Sequence, residues 1–376
     1  MTAWYDIYGN TLSALYDIGG NMISSNVVPG NDYESAIISA RDVWESEYKA
    51  DSSIVPLIIH TDQHQNLNAA NKAAFDFLAN AVDMSKLSAF VGLGDVCGAV
   101  YTERTLNDMV SCLSAIPKVK QINIAGNHDV WATKTEGSEY AYSIIDETTM
   151  AKLHSEYMNN TDYGENHQYD THGNEYLIDA ERGVKYCVFA PWYYDDTETE
   201  VRQPYHKHRL TSNVAEYMIS MLSAIDSYDI VILSHIQPYR ENHDWYYPAV
   251  DGNEVKTVTK AHTGTACLGY DVALEQLISD RKAKRSGTLT DSHGGVHPYD
   301  FTKCTSGILC CLSGHDHVDK YTTVGGVPAV VFDAYRYDLN PLYMVNIDRT
   351  KKRLNVWKFD MGANVYNYQI PFDATA

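Results

Sequence analysis

Short apolar runs recur along this chain, and each is followed at once by polar residues. Five of them are Ile54 to Ile59, Ala89 to Leu93, Ile122 to Ala125, Ile230 to Leu233 and Ile308 to Leu312. Runs of this length are typical of strands that are buried on both faces. We therefore predict five buried strands whose carboxyl ends carry the polar residues, at the edge where open α/β sheets hold ligands.

Between these runs, apolar residues repeat at helical spacing. The predicted helices are Leu67 to Ala81, Thr105 to Leu113, Val214 to Ile225 and Tyr270 to Lys284. Three later runs predict antiparallel strands that extend a second sheet, namely Ala329 to Phe332, Leu342 to Ile347 and Leu354 to Phe359. Strands and helices that alternate in this way predict an α/β fold, or α+β in detail.

The residues that follow the five runs are types that bind metal ions. In chain order they are Asp62-Gln63-His64, Gly94-Asp95, Gly126-Asn127-His128-Asp129, His235 and Gly314-His315-Asp316-His317. Carboxylate, amide and imidazole ligands suit manganese, iron or zinc. When a carboxylate bridges two cations, the cations can bind both the attacking and the leaving oxygen of an in-line displacement reaction. The order of the motifs therefore predicts a site for two metal ions.

These motifs resemble those of the calcineurin-like metallophosphoesterases, whose pattern is DxH, GD, GNH(D/E), H and GHxH. The resemblance runs from Val55 to the strands after His317, with a large insertion. It implies two mixed β-sheets packed as a sandwich and flanked by helices, and a dinuclear metal-dependent phosphoester hydrolase. After Asp95 the chain has Val96-Cys97-Gly98, which departs from the phosphoprotein phosphatase branch.

The resemblance also implies a role for each site residue. One metal would be held by Asp62, His64 and His317, the other by Asn127, His235 and His315, with Asp95 shared between them. Manganese or iron is the first expectation for both ions, and zinc the second. His128 would contact the phosphoryl group and protonate the leaving oxygen, because histidine titrates near neutral pH. Asp129 would orient His128 or its loop.

Other polar and aromatic residues carry weaker signals. We expect His60 to be buried and structural, and His243, His262, His293 and His297 to lie on the surface. The run Pro191-Trp192-Tyr193-Tyr194 predicts either an aromatic wall beside the site or ordinary packing. The seven cysteines lack the spacing of a metal knuckle, so we expect reduced thiols.

The first 32 residues hold a repeat, in which Tyr5 to Asn10 recurs as Tyr16 to Asn21. Glycine and asparagine in each unit predict tight turns, and hence a short β-hairpin extension. The repeat resembles leader segments of phage tail-associated enzymes. Because so small a unit is marginally stable alone, we expect it to dock on the rest of the protein, pair with another chain or attach the protein to a larger assembly. A helical linker at 33–53 would follow, and then one domain at 54–376 with insertions at about 130–185 and 236–305.

Composition narrows the function classes. The 376 residues are 44% hydrophobic and 21% charged, which is enough to bury a large core. A net charge of −20 disfavours nucleic acid as a partner. No apolar run is long enough to span a membrane, and the first residues do not resemble a secretion signal, so we expect a cytoplasmic or virion-associated protein. Three functions stay open: a phosphomonoesterase or phosphodiesterase, an attachment protein with that fold, and a nuclease.

Overall fold

The computed structural model describes most of the chain. The described residues are 31–64, 69–96, 121–133, 142–144, 167–169, 175–189, 208–238, 245–248, 257–258, 267–268, 270–333, 342–359 and 365–372, together with short strands before residue 26 and single positions between 107 and 116. Four helices have defined bounds, namely α1 (Asn31–Ala50), α2 (Ala69–Ala81), α3 (Ser212–Ser223) and α4 (Tyr270–Lys282).

Ten short strands form two-stranded pairs outside the main sheets. They are β1 (Trp4–Tyr5) with β2 (Thr11–Leu12), β3 (Ala14–Tyr16) with β4 (Met22–Ser25), β8 (Trp131–Thr133) with β9 (Tyr142–Ile144), β13 (His208–Arg209) with β17 (Cys267–Leu268), and β18 (Ser286–Thr290) with β19 (Val296–Asp300). The first two pairs are antiparallel and lie in the repeat region.

A six-stranded sheet joins the first three motif strands to the end of the chain. Its strands are β5 (Ile54–His60), β6 (Ala89–Gly92), β7 (Gln121–Asn123), β23 (Leu342–Asp348), β24 (Arg353–Phe359) and β25 (Val365–Pro371). Their order is β25-β24-β23-β5-β6-β7. β5, β6 and β7 are parallel to one another, so their carboxyl ends share one edge of the sheet.

A nine-stranded sheet holds the other two motif strands. Its strands are β10 (His167–Tyr169), β11 (Glu175–Asp179), β12 (Val184–Val188), β14 (Asp229–Leu233), β15 (Trp245–Tyr246), β16 (Thr257–Val258), β20 (Ile308–Ser313), β21 (Lys320–Val324) and β22 (Val327–Val331). Their order is β10-β11-β12-β14-β20-β22-β21-β15-β16. β12, β14, β20 and β22 are parallel to one another.

The two sheets pack face to face, because alternate residues of each strand enter a shared core. Val55 and Leu57 of β5 belong to the same buried cluster as Val231 of β14 and Leu312 of β20. The opposite face of β5, with Ile58, belongs to a second cluster that includes residues of the four helices. This arrangement confirms the predicted α/β sandwich of two mixed sheets flanked by helices.

The helices cover the outer faces of the sandwich. α1 contacts β5, β23, β24 and β25, while α3 and α4 contact each other. Helix α1 is held by polar contacts as well as by apolar ones, because Glu47 Oε2 accepts hydrogen bonds from the Nδ2 atoms of Asn346 and Asn355, each at 2.9 Å. The region predicted as a helical linker, 33–53, thus holds helix α1, which is docked on the six-stranded sheet.

One expectation about the C-terminal strands is wrong. They do not extend a single second sheet, because β22 joins β20 while β23 and β24 join β5. β23 pairs antiparallel with β5 from Tyr343 to Asp348, and both of its faces are buried. The predicted helix from Thr105 to Leu113 and the run Pro191 to Tyr194 lie largely outside the described residues. In the part of the chain that the structure describes, no helix is long and apolar enough to cross a membrane.

Candidate metal centre

Five loops meet at the carboxyl ends of the motif strands, and backbone hydrogen bonds tie them together. The amide of Asp62 donates to the carbonyl of Gly94 at 2.8 Å, and the amide of His64 donates to that of Asp95 at 3.0 Å. In the other sheet, the amide of Gly314 donates to the carbonyl of His235 at 3.1 Å. Two further bonds end on aspartate side chains, from the amide of His315 to Asp62 Oδ2 and from the amide of His128 to Asp95 Oδ1. Hydrogen bonds of the chain itself therefore link all five loops.

Most non-glycine residues with positive φ in the described chain belong to these loops. They are Asp62 (53°), His64 (45°), Asp95 (55°), His315 (72°) and His317 (53°), and only Lys284 and Lys352 share the property elsewhere in that part of the chain. The left-handed region costs a non-glycine residue about 1–3 kcal/mol, and such strain clusters at functional sites. The strain marks this edge of the sandwich as the candidate site.

Two glycines let the loops approach this closely. A Cβ atom at Gly126 would overlap the carboxylate and the amide nitrogen of Asp95, and one at Gly314 would overlap the side chains of Thr61 and Asp62. Any larger residue would push these carboxylates out of place. Gly126 and Gly314 are therefore needed for close packing around the two aspartates.

The first set of converging side chains is Asp62, His64, Asp95 and His317, which we call the Asp62 group. The Nε2 atoms of His64 and His317 are 2.9 Å apart. His317 Nε2 lies 3.1 Å from Asp62 Oδ1, and His64 Nε2 lies 3.7 Å from the same oxygen. Imidazole nitrogens and a carboxylate oxygen thus point at one small space.

The second set is Asp95, His235 and His315, which we call the His235 group. His235 Nε2 lies 3.1 Å from Asp95 Oδ2 and 3.1 Å from the amide oxygen of Asn127. The rings of His235 and His315 meet edge to face, with centroids 5.1 Å apart. Asn127 therefore adds a neutral oxygen to this group.

Asp95 belongs to both groups through a single oxygen. Its Oδ2 atom lies 3.1 Å from His235 Nε2 on one side and 3.8 Å from His64 Nε2 on the other. Its Oδ1 atom accepts a hydrogen bond from the backbone amide of His128 at 2.8 Å. That bond fixes the carboxylate with Oδ2 turned toward the space between the groups.

The two buried carboxylates dominate the electrostatics of the site. Burial alone would raise the pKa of Asp95, but the imidazoles of His235 and His128 hold it well below its usual range. Burial opposes a charge on His235 as well, yet Asp95 and Asp62 outweigh it and raise the pKa of His235 to about 10. Burial and the neighbouring His235 lower the pKa of His315 to about 4. The carboxylates of Asp62 and Asp95 therefore favour a positive charge in the space between them and the histidines.

The hydrogen bonding of His235 tests whether a cation fits in that space. Its Nδ1 atom lies 2.6 Å from the carbonyl oxygen of Leu93, which can only accept, so Nδ1 carries the proton. With a pKa of about 10, His235 is protonated when no metal is bound, and its Nε2 atom donates to the oxygens of Asn127 and Asp95. A metal ion that displaced this proton would face the Nε2 lone pair and the same two oxygens. Three electron-rich atoms around one point fit a cation, and a carbonyl that orients the histidine is typical of metal sites.

His128 and Asp129 lie beside the groups. His128 Nε2 is 3.9 Å from Asp95 Oδ2, and its ring meets that of His64 edge to face at 4.8 Å. Asp129 is buried, and its Oδ2 accepts the amide hydrogen of Gly126 at 2.8 Å. Asp129 therefore braces the loop that carries Asn127 and His128, which is one of the two roles predicted for it.

The structure brings together all the predicted metal ligands, which are Asp62, His64, Asp95, Asn127, His235, His315 and His317. His60 lies outside both groups, as expected. Its ring packs against Phe75 and Phe90, Gln63 Nε2 donates to its Nδ1 atom, and burial lowers its pKa to about 3.

The expectation for His297 is wrong, because this residue is not a simple surface histidine. Its Nε2 atom bonds to the buried carboxylate of Asp291 at 2.8 Å, and its side chain is only 11% exposed. His293 is exposed, as predicted. His243 and His262 lie outside the described residues. The free cysteines Cys187, Cys304, Cys310 and Cys311 are buried in the core and belong to neither group.

Residues that sequence reasoning missed surround the predicted ligands. Thr61 Oγ1 donates to Asp62 Oδ2 at 2.6 Å, and Gln237 Nε2 donates to Asp316 Oδ2 at 2.6 Å. Each missed residue is within two positions of a predicted ligand, and that proximity is the one sequence signal that could have found them.

No protein-family model matches this chain, and a search of curated proteins gives no significant match. What the chain can bind therefore follows from the site itself. The buried aspartates and histidines of the two groups could hold a metal ion.

Proposed function

We propose that this protein is a phosphoester hydrolase that uses two metal ions, as in the calcineurin-like metallophosphoesterases that its motifs resemble. The observation that carries the proposal is Asp95, whose Oδ2 atom faces both groups. A carboxylate shared between two histidine-rich groups suits a pair of ions better than one ion. Manganese or iron is the proposed metal, with zinc as the alternative, because the ligands are oxygen and imidazole nitrogen.

Each residue of the site would have its own role in hydrolysis. Two such ions, when bound, would polarise the phosphoryl group and lower the pKa of an attacking water. His128 Nε2 would donate a proton to the leaving oxygen. Its side chain lies beside Asp95 and is 20% exposed, so a substrate could reach it from solvent. Asp129 would hold the His128 loop in place through Gly126. Asp95 would keep the groups together, with Oδ1 anchored to the backbone of His128.

The proposal is tested by metal removal and a substrate pair. The protein is dialysed against a chelator and assayed on an aryl phosphate and on a bis-aryl phosphate, before and after manganese, iron, cobalt or zinc is added back. We expect hydrolysis to stop on chelation and to return with metal, and the ratio of the two rates to decide between monoester and diester. Hydrolysis that persists after complete removal of metal would reject the proposal.

A matched control keeps this test specific. His297→Gln changes a histidine that also pairs with a buried aspartate, but at Asp291 and outside both groups. We expect this variant to need added metal in the same way and to the same extent as the wild-type protein. A variant whose metal requirement differs would show that the assay reports on folding rather than on the proposed centre.

A further inference from the structure

A buried lysine lies behind the histidine loops. Lys320 Nζ donates to Asp316 Oδ2, and the two side chains are only 5% and 2% exposed. Asp316 separates the proposed ligands His315 and His317 in the sequence. Removing two charges from water is unfavourable, and good pairing has to offset that cost. An ion pair placed here therefore needs partners that complete it.

Two further side chains complete the pair. Gln237, two residues after His235, is fully buried and donates from Nε2 to Asp316 Oδ2 at 2.6 Å. Trp245 of β15 is also buried, and Lys320 Nζ lies 4.4 Å from its ring centroid, within range of a cation–π contact. The contacts of Asp316 thus reach the loop after β14, the start of β21 and, through Lys320, strand β15.

We infer that Lys320, Asp316 and Gln237 form a positioning network that sets the spacing of the His235 and His315 loops and thereby the metal affinity of the His235 group. The inference rests on the proposed metal centre. Lys320 and Gln237 both donate to Asp316 Oδ2, so this carboxylate oxygen is engaged in the contact between the loops. The bond from Gln237 to Asp316 is then a direct side-chain link between two loops that carry ligands.

The test measures metal affinity with the full-length chain. Lys320→Met and Gln237→Leu are each titrated with Mn²⁺ after metal removal, and the dissociation constant is compared with that of the wild-type protein. Both variants should bind Mn²⁺ about 10–100-fold more weakly, the usual cost of losing a partner that orients metal ligands. Gln237→Leu leaves no buried charge unpaired, so it reports on the network even if Lys320→Met folds poorly.

The nine-stranded sheet offers a matched control in Lys185. Its Nζ atom bonds to Asp226 Oδ2 at 2.9 Å and lies 5.2 Å from the ring of Tyr176, so it shares the chemistry of Lys320. Lys185 lies near the start of β12, away from the carboxyl ends of the strands that carry the metal groups. Lys185→Met should lower the melting temperature but leave the Mn²⁺ dissociation constant unchanged.

Melting temperatures with chelator and with saturating Mn²⁺ separate positioning from general stability. Metal stabilises the folded state in proportion to the logarithm of its affinity, so the rise on adding Mn²⁺ should shrink in Lys320→Met and stay at the wild-type value in Lys185→Met. If both network variants bind Mn²⁺ as tightly as the wild-type protein, or more tightly, the network inference is overturned but the proposed metal centre is not. Absence of Mn²⁺ binding by the wild-type protein would overturn the metal centre, and the inference with it.

Discussion

The Asp62 group and the His235 group share Asp95 but differ in burial. In the Asp62 group, the side chains of His64 and His317 are 11% and 23% exposed. In the His235 group, the side chain of His235 is completely buried. Both histidines of the Asp62 group are thus partly exposed, whereas in the His235 group only His315 is. The Asp62 group is therefore the more open of the two to solvent.

The two groups also differ in how their ligands are fixed. Asp62 is held by a side-chain hydroxyl from Thr61 at 2.6 Å and by the backbone amide of His315 at 3.0 Å. His235 is held by a backbone carbonyl, that of Leu93, at 2.6 Å. A carbonyl cannot be removed by substitution, but the hydroxyl can. We therefore expect the Asp62 group to be more adjustable and the His235 group to tolerate less change.

The largest effect should come from Asp95→Asn, which removes the charge that both groups share. The amide has the shape of the carboxylate and still accepts the bond from His128, so the loop should remain folded. Metal affinity should fall by more than about 100-fold in both groups, beyond the loss seen for partners that only orient ligands. Metal content after dialysis and turnover of the aryl phosphate are the measurements.

Asp291→Asn is the control for that variant, because Asp291 is a buried carboxylate outside both groups. Hydrogen bonds from Ser212 and His297 outweigh burial and hold the pKa of Asp291 below its usual range. Its stabilisation is thus present above pH 3.8 and decreases as pH falls. Asp291→Asn should lower stability at neutral pH and leave metal content intact.

Two tightly bound ions in Asp95→Asn would contradict the shared role of Asp95.

The second prediction compares one substitution in the two groups. In His317→Leu, water can reach the partly exposed position and take the place of the lost imidazole, so the ion should bind more weakly than in the wild-type protein but still be retained at saturating Mn²⁺. In His235→Leu, the leucine fills a buried position and keeps water out, so one ion per chain should be lost. Metal stoichiometry at saturating Mn²⁺ measures both. Equal losses in the two variants would remove the distinction between the groups.

The residues of the two groups could be predicted from the sequence because all of them follow one of five strand-like runs. The run from Ile54 to Ile59 gives β5, and Asp62 and His64 come directly after it. The pairing of β5 with β23 could not be predicted in this way. It depends on contacts such as Ile59 with Tyr343, which are far apart in the chain, and nothing local in either strand specifies the partner.

The burial of polar side chains could not be predicted from the sequence either. Lys320 and Gln237 look like ordinary polar loop residues in the sequence, and only the packing of β15 and the two loops reveals that they are buried. His297 was misjudged for the same reason, since its partner Asp291 becomes visible only when β18 and β19 form a hairpin. Positive φ at aspartate and histidine also escaped prediction, because glycine is the usual sequence signal for that conformation.

The third prediction concerns His128, which touches the Asp62 group without belonging to either set of ligands. His128→Asn should leave metal content unchanged and slow hydrolysis of alkyl phosphates by about 10²–10⁴-fold, the usual contribution of a general acid. The loss should be smaller for nitrophenyl phosphates, because nitrophenolate leaves without a proton. Equal losses on both esters would retain His128 as a phosphate contact but reject it as the acid. Loss of metal would instead make it a ligand.

The smallest effect should come from Thr61→Val, which tests the adjustable bracing of the Asp62 group alone. The substitution removes the hydroxyl that donates to Asp62 Oδ2 and keeps the shape of a side chain that is fully buried. The amide of His315 still donates to the same oxygen, so Asp62 should stay in place but with more freedom. One ion should bind about 10-fold more weakly, at the low end of the cost of losing an orienting partner, while the other keeps its affinity. Stepwise Mn²⁺ titration measures the affinity for each ion separately. If both affinities weaken by the same factor, the two groups act as one unit, and their different bracing has no functional consequence.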